Sequence, residues 1–223
     1  LVKDETGRDM HKSWGNAIWF GDAAEKMGVD VMRWLYASQN PEHNLNFGYS
    51  TADDVRKNLI TLWNTYSFFV TYANLDGFDP SKDIVSSDEY TNLDRWIIAK
   101  TQNLIKESTN CYSNFKVFQL MKLVTKFIDD LSNWYVRRSR RRFWRSENNT
   151  DKKAAYSALY EALLNLSKII APVVPFVSEK IYQNLVSNSS SKDQPESIHL
   201  SDFPVFNKKL HNQSLIDNID AII

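Results

Sequence analysis

Beyond residue 50 the apolar positions recur with the period of a helix. Thr51-Ala-Asp-Asp54 fits a capping box, and Leu59, Leu62, Trp63, Tyr66, Phe69, Val70 and Ala73 follow at i, i+3, i+4, i+7 spacing. Asp76-Gly77 and Asp79-Pro80 end that helix. Thr91-Asn-Leu-Asp94 caps a second, with Leu93, Trp96, Ile97 and Leu104 inward. A third, the longest, runs from about Phe115 to Arg145 and sets Val117, Met121, Val124, Ile128, Leu131 and Tyr135 close to a heptad seam. Asn148-Asn-Thr-Asp151 separates it from a fourth, where Leu159, Leu163, Leu166 and Ile170 line one face. Ala171-Pro-Val-Val-Pro175 breaks the chain, and a fifth helix runs to about Val186. Ser187 to Ser197 is polar and reads as a mobile loop.

Residues 1–50 read differently. Five of the six glycines fall there, and the helical pattern is confined to Asp30-Val-Met-Arg-Trp-Leu-Tyr-Ala37, with Asp30 suited to its N-cap. The expected fold is all-α: an antiparallel helical bundle preceded by a short loop-rich connector. The division is 1–50 connector, 51–186 bundle, and 187–223 polar loop and start of a further region. The chain opens on Leu1 rather than Met, and Leu215, Ile216, Ile219, Ile222 and Ile223 repeat at helical spacing at its end. Both features read as a piece of something longer.

Composition narrows the function classes. At 223 residues, 43% hydrophobic and 13% aromatic, the chain can bury a core, which excludes wholesale disorder. The single cysteine, Cys111, excludes a disulfide framework and a multi-cysteine zinc site. The four histidines are scattered, so no metal site is expected. No apolar run reaches the roughly 20 residues that span a bilayer. Cysteine usage fits a cytoplasmic protein. The 27 basic residues balance 27 acidic ones, which counts against a nucleic-acid partner only if the charges are evenly spread.

They are not. In Asn133-Trp-Tyr-Val-Arg-Arg-Ser-Arg-Arg-Arg-Phe-Trp-Arg145, six arginines occupy nine positions from Arg137 to Arg145. On a helix Lys122, Lys126, Arg137, Arg140 and Arg141 fall near one stripe, while Arg138 and Arg142 continue the apolar seam that ends at Tyr135. Guanidinium forks suit phosphates, and the interleaved aromatics suit unpaired bases. Tyr135 lies on the seam and reads as core; Trp134 stands between core and stacking platform. The plainer alternative is a solvated helix end whose cations favour the C-terminal dipole, with Asp129 and Asp130 neutralising Lys126. Six arginines exceed what that needs, because like charges one turn apart repel. A second candidate is the loop Gly7-Arg-Asp-Met-His-Lys-Ser-Trp-Gly-Asn16, where Lys12 and Ser13 could meet a phosphate. Physics alone favours a solvated lysine there, since the P-loop order is absent.

Taken together, these stretches resemble class I aminoacyl-tRNA synthetases, the isoleucyl enzymes most closely. Asp9-Met-His-Lys-Ser13 with Trp14-Gly-Asn16 is similar to the Lys-Met-Ser-Lys-Ser signature loop and its Gly-Asn continuation. Gly28-Val-Asp-Val-Met-Arg33 resembles the Gly-x-Asp-x-x-Arg segment after that loop. Val55-Arg-Lys-Asn-Leu-Ile-Thr-Leu-Trp-Asn64, Leu93-Asp-Arg-Trp96, Asn133-Trp-Tyr-Val-Arg-Arg-Ser-Arg140 and Ala171-Pro-Val-Val-Pro-Phe176 resemble successive landmarks of the anticodon-binding domain. Ser197-Ile-His-Leu-Ser-Asp-Phe-Pro204 resembles the stretch next after that bundle.

The resemblance implies a parent that activates isoleucine with ATP and Mg and transfers it to tRNA(Ile). Lys12 and Ser13 take the positions of the second signature lysine and final serine, with catalytic and ATP-binding roles. Asp9 and His11 depart from the pattern, and Arg8 or Lys3 are the candidates to compensate. Lys126, Arg137, Arg138, Arg141 and Arg142 are the expected tRNA contacts. The chain alone is expected to be monomeric, to bind no cofactor and to be inactive, because the nucleotide-binding sheet, amino-acid pocket and editing domain would lie upstream. A valyl or leucyl relative, or a helical protein-interaction module without an RNA role, remain the alternatives.

Overall fold

A computed structural model describes residues 1–145, 149–187 and 194–223. Helix dominates, as the periodicity requires. The loop-rich start nevertheless contains a two-stranded parallel sheet, β1 (Val2–Asp4) against β2 (Leu45–Phe47), in register Val2 to Leu45 and Asp4 to Phe47. A parallel pair needs a crossover, and α1 (Phe20–Met27) and α2 (Val29–Ala37) supply it. The sequence signals only the second of these. α2 buries Val31, Met32, Trp34 and Leu35 against the bundle, so the connector shares the main core.

The bundle comprises α3 (Tyr49–Asp76), α4 (Asn92–Ser113), α5 (Val117–Asp129), α6 (Arg137–Trp144), α7 (Thr150–Ile170) and α8 (Pro175–Ser187), with a short α9 (Gln213–Asp220) against α4. α4 is its central member, packing on α5, α7 and α9. The second capping box forms as expected: Thr91 accepts from the Asp94 amide, and the Asp94 carboxylate accepts from the Thr91 amide at 2.9 Å. Leu159, Leu163, Leu166 and Ile170 of α7 are all fully buried. The tail does form a helix, but only Ile216 of its apolar series is fully buried.

Two caps differ from expectation. α3 starts at Tyr49 rather than after Thr51, and its N-cap is Gly48, which has no side chain to offer. Glu5 supplies the cap from 45 residues away, accepting from the Ser50 amide at 3.1 Å and the Ser50 hydroxyl at 2.6 Å. Asp30 sits inside α2 and caps a different helix. Its carboxylate accepts from Val177 N at 2.7 Å and Phe176 N at 3.4 Å, in the first turn of α8.

The third sequence-predicted helix is continuous from Val117 to Trp144 but changes character midway, where Asp130–Val136 form a π-helical turn. This turn absorbs one extra residue and re-phases the segment beyond it. Past Tyr135 the buried positions are Val136, Ser139 and Phe143; Arg142 still turns inward, with 12% of its side chain exposed, but Arg138 does not lie on the core side as an uninterrupted seam would have it. The expected mobile loop from Ser187 to Ser197 falls largely on residues 188–193, outside the described residues, as does Asn148 of the predicted separator.

Candidate nucleic-acid interface

The arginine segment continues directly from the π turn. Arg137, Arg138, Arg140, Arg141 and Arg145 are exposed, with Trp144 57% exposed beside them. Arg137 and Arg141 lie one turn apart, so their side chains share a face. Among the described residues Arg137, Arg140 and Arg141 have no ion-pair partner. Arg138 is held more closely, its guanidinium 5.0 Å from the centre of the half-buried Trp134 ring. Arg145 lies 3.8 Å from Asp151. The result is a cationic helix face with aromatic edges, the combination that backbone phosphates and unpaired bases require.

Arg142 is the exception among the predicted contacts. Its guanidinium grips both oxygens of Asp94 at 2.7 and 2.8 Å and donates to the Asp151 carbonyl at 2.7 Å, with only 12% of the side chain exposed. A fork already filled by a buried carboxylate cannot also hold a phosphate, so Arg142 is a structural residue. Asp94 is the hub of that arrangement. It is fully buried and also accepts from the hydroxyls of Tyr135 and Thr91, each at 2.7 Å. Burial pushes its carboxyl up, but Arg142, Tyr135 and Thr91 outweigh this and hold it below its ordinary value. Tyr135 is thus core, and its phenol is raised, first by burial and then by the Asp94 charge.

At the start of the π turn the same logic recurs with opposite sign. Asp130, 2% exposed, accepts from Lys100 at 2.6 Å, and Lys126 approaches it at 3.5 Å with most of its side chain in solvent. Lys126 is therefore partly neutralised, as its spacing from Asp130 suggests. Lys100 also reaches Asp220 at 2.8 Å, and Trp96 donates to the same carboxylate at 3.1 Å, which fastens α9 to α4. Burial lowers Lys100, and its two carboxylate partners more than reverse that, leaving it raised.

The signature-like loop is built around Asp4. Its carboxylate accepts from Thr6 through both amide and hydroxyl, from the Arg8 amide and from Asn16 Nδ2 at 2.9 Å. The Thr6 and Asn16 side-chain bonds, then that of the Arg8 amide, lower its carboxyl strongly. Asn16 also accepts from His11 N and donates to the Asp9 carbonyl, closing the loop on itself. Lys12-Ser-Trp14 forms a single 3₁₀ turn ended by Gly15 at φ 71°, a left-handed conformation that suits glycine. Lys12 and Ser13 are exposed, and the Lys12 ammonium lies 4.4 Å from the centre of the Trp19 ring. Lys3 is not free to replace the missing lysine, because it pairs with Asp9 at 2.5 Å.

Several motif arginines are ties between elements. Arg33 donates to the carbonyls of Val173 and Pro172 at 2.6 and 2.8 Å, and Arg56 donates to the Lys26 carbonyl at the end of α1. The buried Lys152 is another tie, pairing with Asp76 at 2.5 Å and donating to the Arg145 carbonyl at 2.7 Å. Sequence reasoning does not reveal these roles, nor those of Asp4 and Glu5, because each partner lies far off in sequence or in a pattern no short motif encodes.

The comparisons agree with this geometry. Residues 94–223 match the family described as the anticodon-binding domain of tRNA ligase. An isoleucine–tRNA ligase of Dehalococcoides mccartyi (strain CBDB1) is 43% identical over the whole of this chain, and one of Thermus thermophilus is 40% identical over the same span. In both cases the chain covers 22% of the relative's length. Among solved structures, a LeuRS from Agrobacterium radiobacter K84, in ternary complex with tRNA and LeuAMS, superposes with a TM-score of 0.70. That match covers 95% of this chain and 24% of the other at 18% identity, which supports the fold. Among the described residues no helix is long and apolar enough to cross a membrane. This chain belongs to the anticodon-binding family of the tRNA ligases.

Proposed function

We propose that the chain holds the anticodon arm of tRNA(Ile) within an isoleucine–tRNA ligase, through Arg137, Arg138 and Arg141 with Arg140, Arg145 and Lys126 flanking. The observation that carries this reading is the outward face of α6, whose guanidinium groups have few internal partners. The isoleucine specificity rests on relatives at 40–43% identity that bear that name, set against 18% for the leucyl structure. Trp144, and Trp134 beneath Arg138, are the candidate platforms for unpaired bases.

In the longer protein ATP, as its Mg complex, would activate isoleucine to the adenylate before transfer to the tRNA 3′ end. There Lys12 and Ser13 would face the phosphates, steadying charge as pyrophosphate departs. Asp9, at the first signature-lysine position, offers no cation and is matched by Lys3, and His11 stands at the signature-serine position. Residues 1–50 would then be the signature-loop and connector segment, 51–186 the anticodon-binding bundle, and 187–223 the start of the next region.

The test is a filter-binding titration of the 223-residue chain with tRNA over a range of salt. Arg137→Glu with Arg141→Glu should weaken binding at least tenfold and flatten the salt dependence, since about 0.7 of a counterion is released per single-stranded phosphate contact. Unchanged affinity in that variant removes these residues from the interface. ATP–pyrophosphate exchange by the chain alone should stay at background, and turnover there would contradict the assignment of activation to residues elsewhere.

A further inference from the structure

The arginine segment is held from one neighbour at both ends of its π turn, and the two ion pairs have opposite polarity. α4 contributes a carboxylate, Asp94, to Arg142 beyond the turn, and an ammonium, Lys100, to Asp130 at its start. All four side chains are buried or nearly so. Sliding or rotating the arginine helix by one position would set like charges opposite each other or leave a buried ion unpaired, and either costs several kcal/mol. Tyr135, inside the π turn, donates to the same Asp94 carboxylate and makes the turn itself part of the lock. One residue of re-phasing separates a helix with Arg138 on the core side from the observed one, where Arg138 is exposed beside Trp134.

We propose that Asp94, Tyr135 and Arg142 are positioning residues for RNA binding: through the π turn they set which arginines of α6 face the RNA, without touching it themselves. The proposal rests on the tRNA-binding reading above. It predicts that loosening the lock costs RNA affinity beyond what the accompanying loss of stability explains, because Arg137, Arg138 and Arg141 no longer present a fixed array.

The experiment compares the chain with Arg142→Met, Arg142→Lys, Tyr135→Phe and a stability control, Ile181→Ala, in the core of α8 away from the arginine helix. Each is followed by thermal unfolding, amide exchange of residues 137–144, and tRNA titration against salt below its melting temperature. Arg142→Met should weaken tRNA binding about tenfold and lower the slope of log K against log salt by about 1.4, the share of two single-strand phosphate contacts. Exchange in 137–144 should quicken, and Arg142→Lys should rescue little because an ammonium cannot span both carboxylate oxygens. If Arg142→Met does not fold, Tyr135→Phe, which removes one hydroxyl, should show the same directions at smaller size.

Two results overturn the proposal: lock variants that keep wild-type affinity and salt slope while melting earlier, or an Ile181→Ala control of equal melting temperature that loses affinity equally. Failure of the wild-type chain to bind tRNA is a separate outcome and removes the tRNA-binding reading together with the proposal built on it.

Discussion

Arg142 and Arg141 are neighbours in sequence and opposites in energetics. Replacing exposed Arg141 should leave stability within about 0.5 kcal/mol, whereas Arg142→Met strands a buried carboxylate and should cost about 3–5 kcal/mol. Adding Asp94→Leu to Arg142→Met should recover most of that loss, since a buried pair exchanged whole for apolar groups is often neutral. Urea unfolding of the three variants measures both effects. The pH dependence comes from the lowered Asp94 carboxyl. A depressed acid stabilises above its unfolded value of 3.8 and loses that contribution as pH falls through its lower folded value. Urea midpoints of the wild type should therefore drop on acidification below about pH 4. In Arg142→Met burial is opposed only by the Tyr135 and Thr91 hydroxyls, so the carboxyl rises relative to the wild type and acidification should relieve part of the destabilisation.

At the scale of single elements, the π turn and the borrowed caps make distinct predictions. A π turn accommodates one residue more than an α turn, so deleting exposed Asn133 should convert it to regular helix and leave Ser139, Arg142 and Phe143 on their present sides. Circular dichroism should show helicity retained. Deleting Arg140 instead should rotate the remainder by about 100° and tear Arg142 from Asp94. At the head of α3, a methyl added to Gly48 would lie 2.7 Å from Glu5 Cβ and displace the residue that caps Ser50. Gly48→Ala and Glu5→Ala should each cost about 1 kcal/mol, and the double variant little more than either, because both remove one cap.

These elements also show what is legible in the sequence. Helix existence, the Thr91–Asp94 capping box and the α7 core stripe are local patterns, and period alone finds them. Arginine clustering locates the candidate interface, and the Lys126–Asp130 spacing foretells their pairing. The side of Arg138 is not legible, because the π turn leaves no periodic mark: Tyr135 fits both the seam before it and the core after it. The roles of Asp30 and Glu5 escape a local reading because a cap is expected from the preceding residue, whereas here it arrives from another element.

Across the whole molecule the connector and bundle are one cooperative body. Trp34 is 1% exposed within the main core, and Asp30 and Arg33 of α2 grip both sides of the turn between α7 and α8. Calorimetric and van't Hoff enthalpies should coincide, and Asp30→Ala with Arg33→Ala should lower the melting temperature without splitting the transition. A separate early transition for residues 1–50 would refute this. The balanced net charge matters little for such a body, because five exposed arginines in one helix end create a local field that the total conceals.

The enclosure of Arg142 also governs chemical reactivity. A dicarbonyl reagent that condenses with open guanidinium groups should label Arg137, Arg140 and Arg141 on the folded chain and spare Arg142, whose two terminal nitrogens are engaged by Asp94 and Asp151. Adduct at Arg142 would then appear only as α6 comes away from α4, so peptide mass spectrometry could time that single event with no engineered probe.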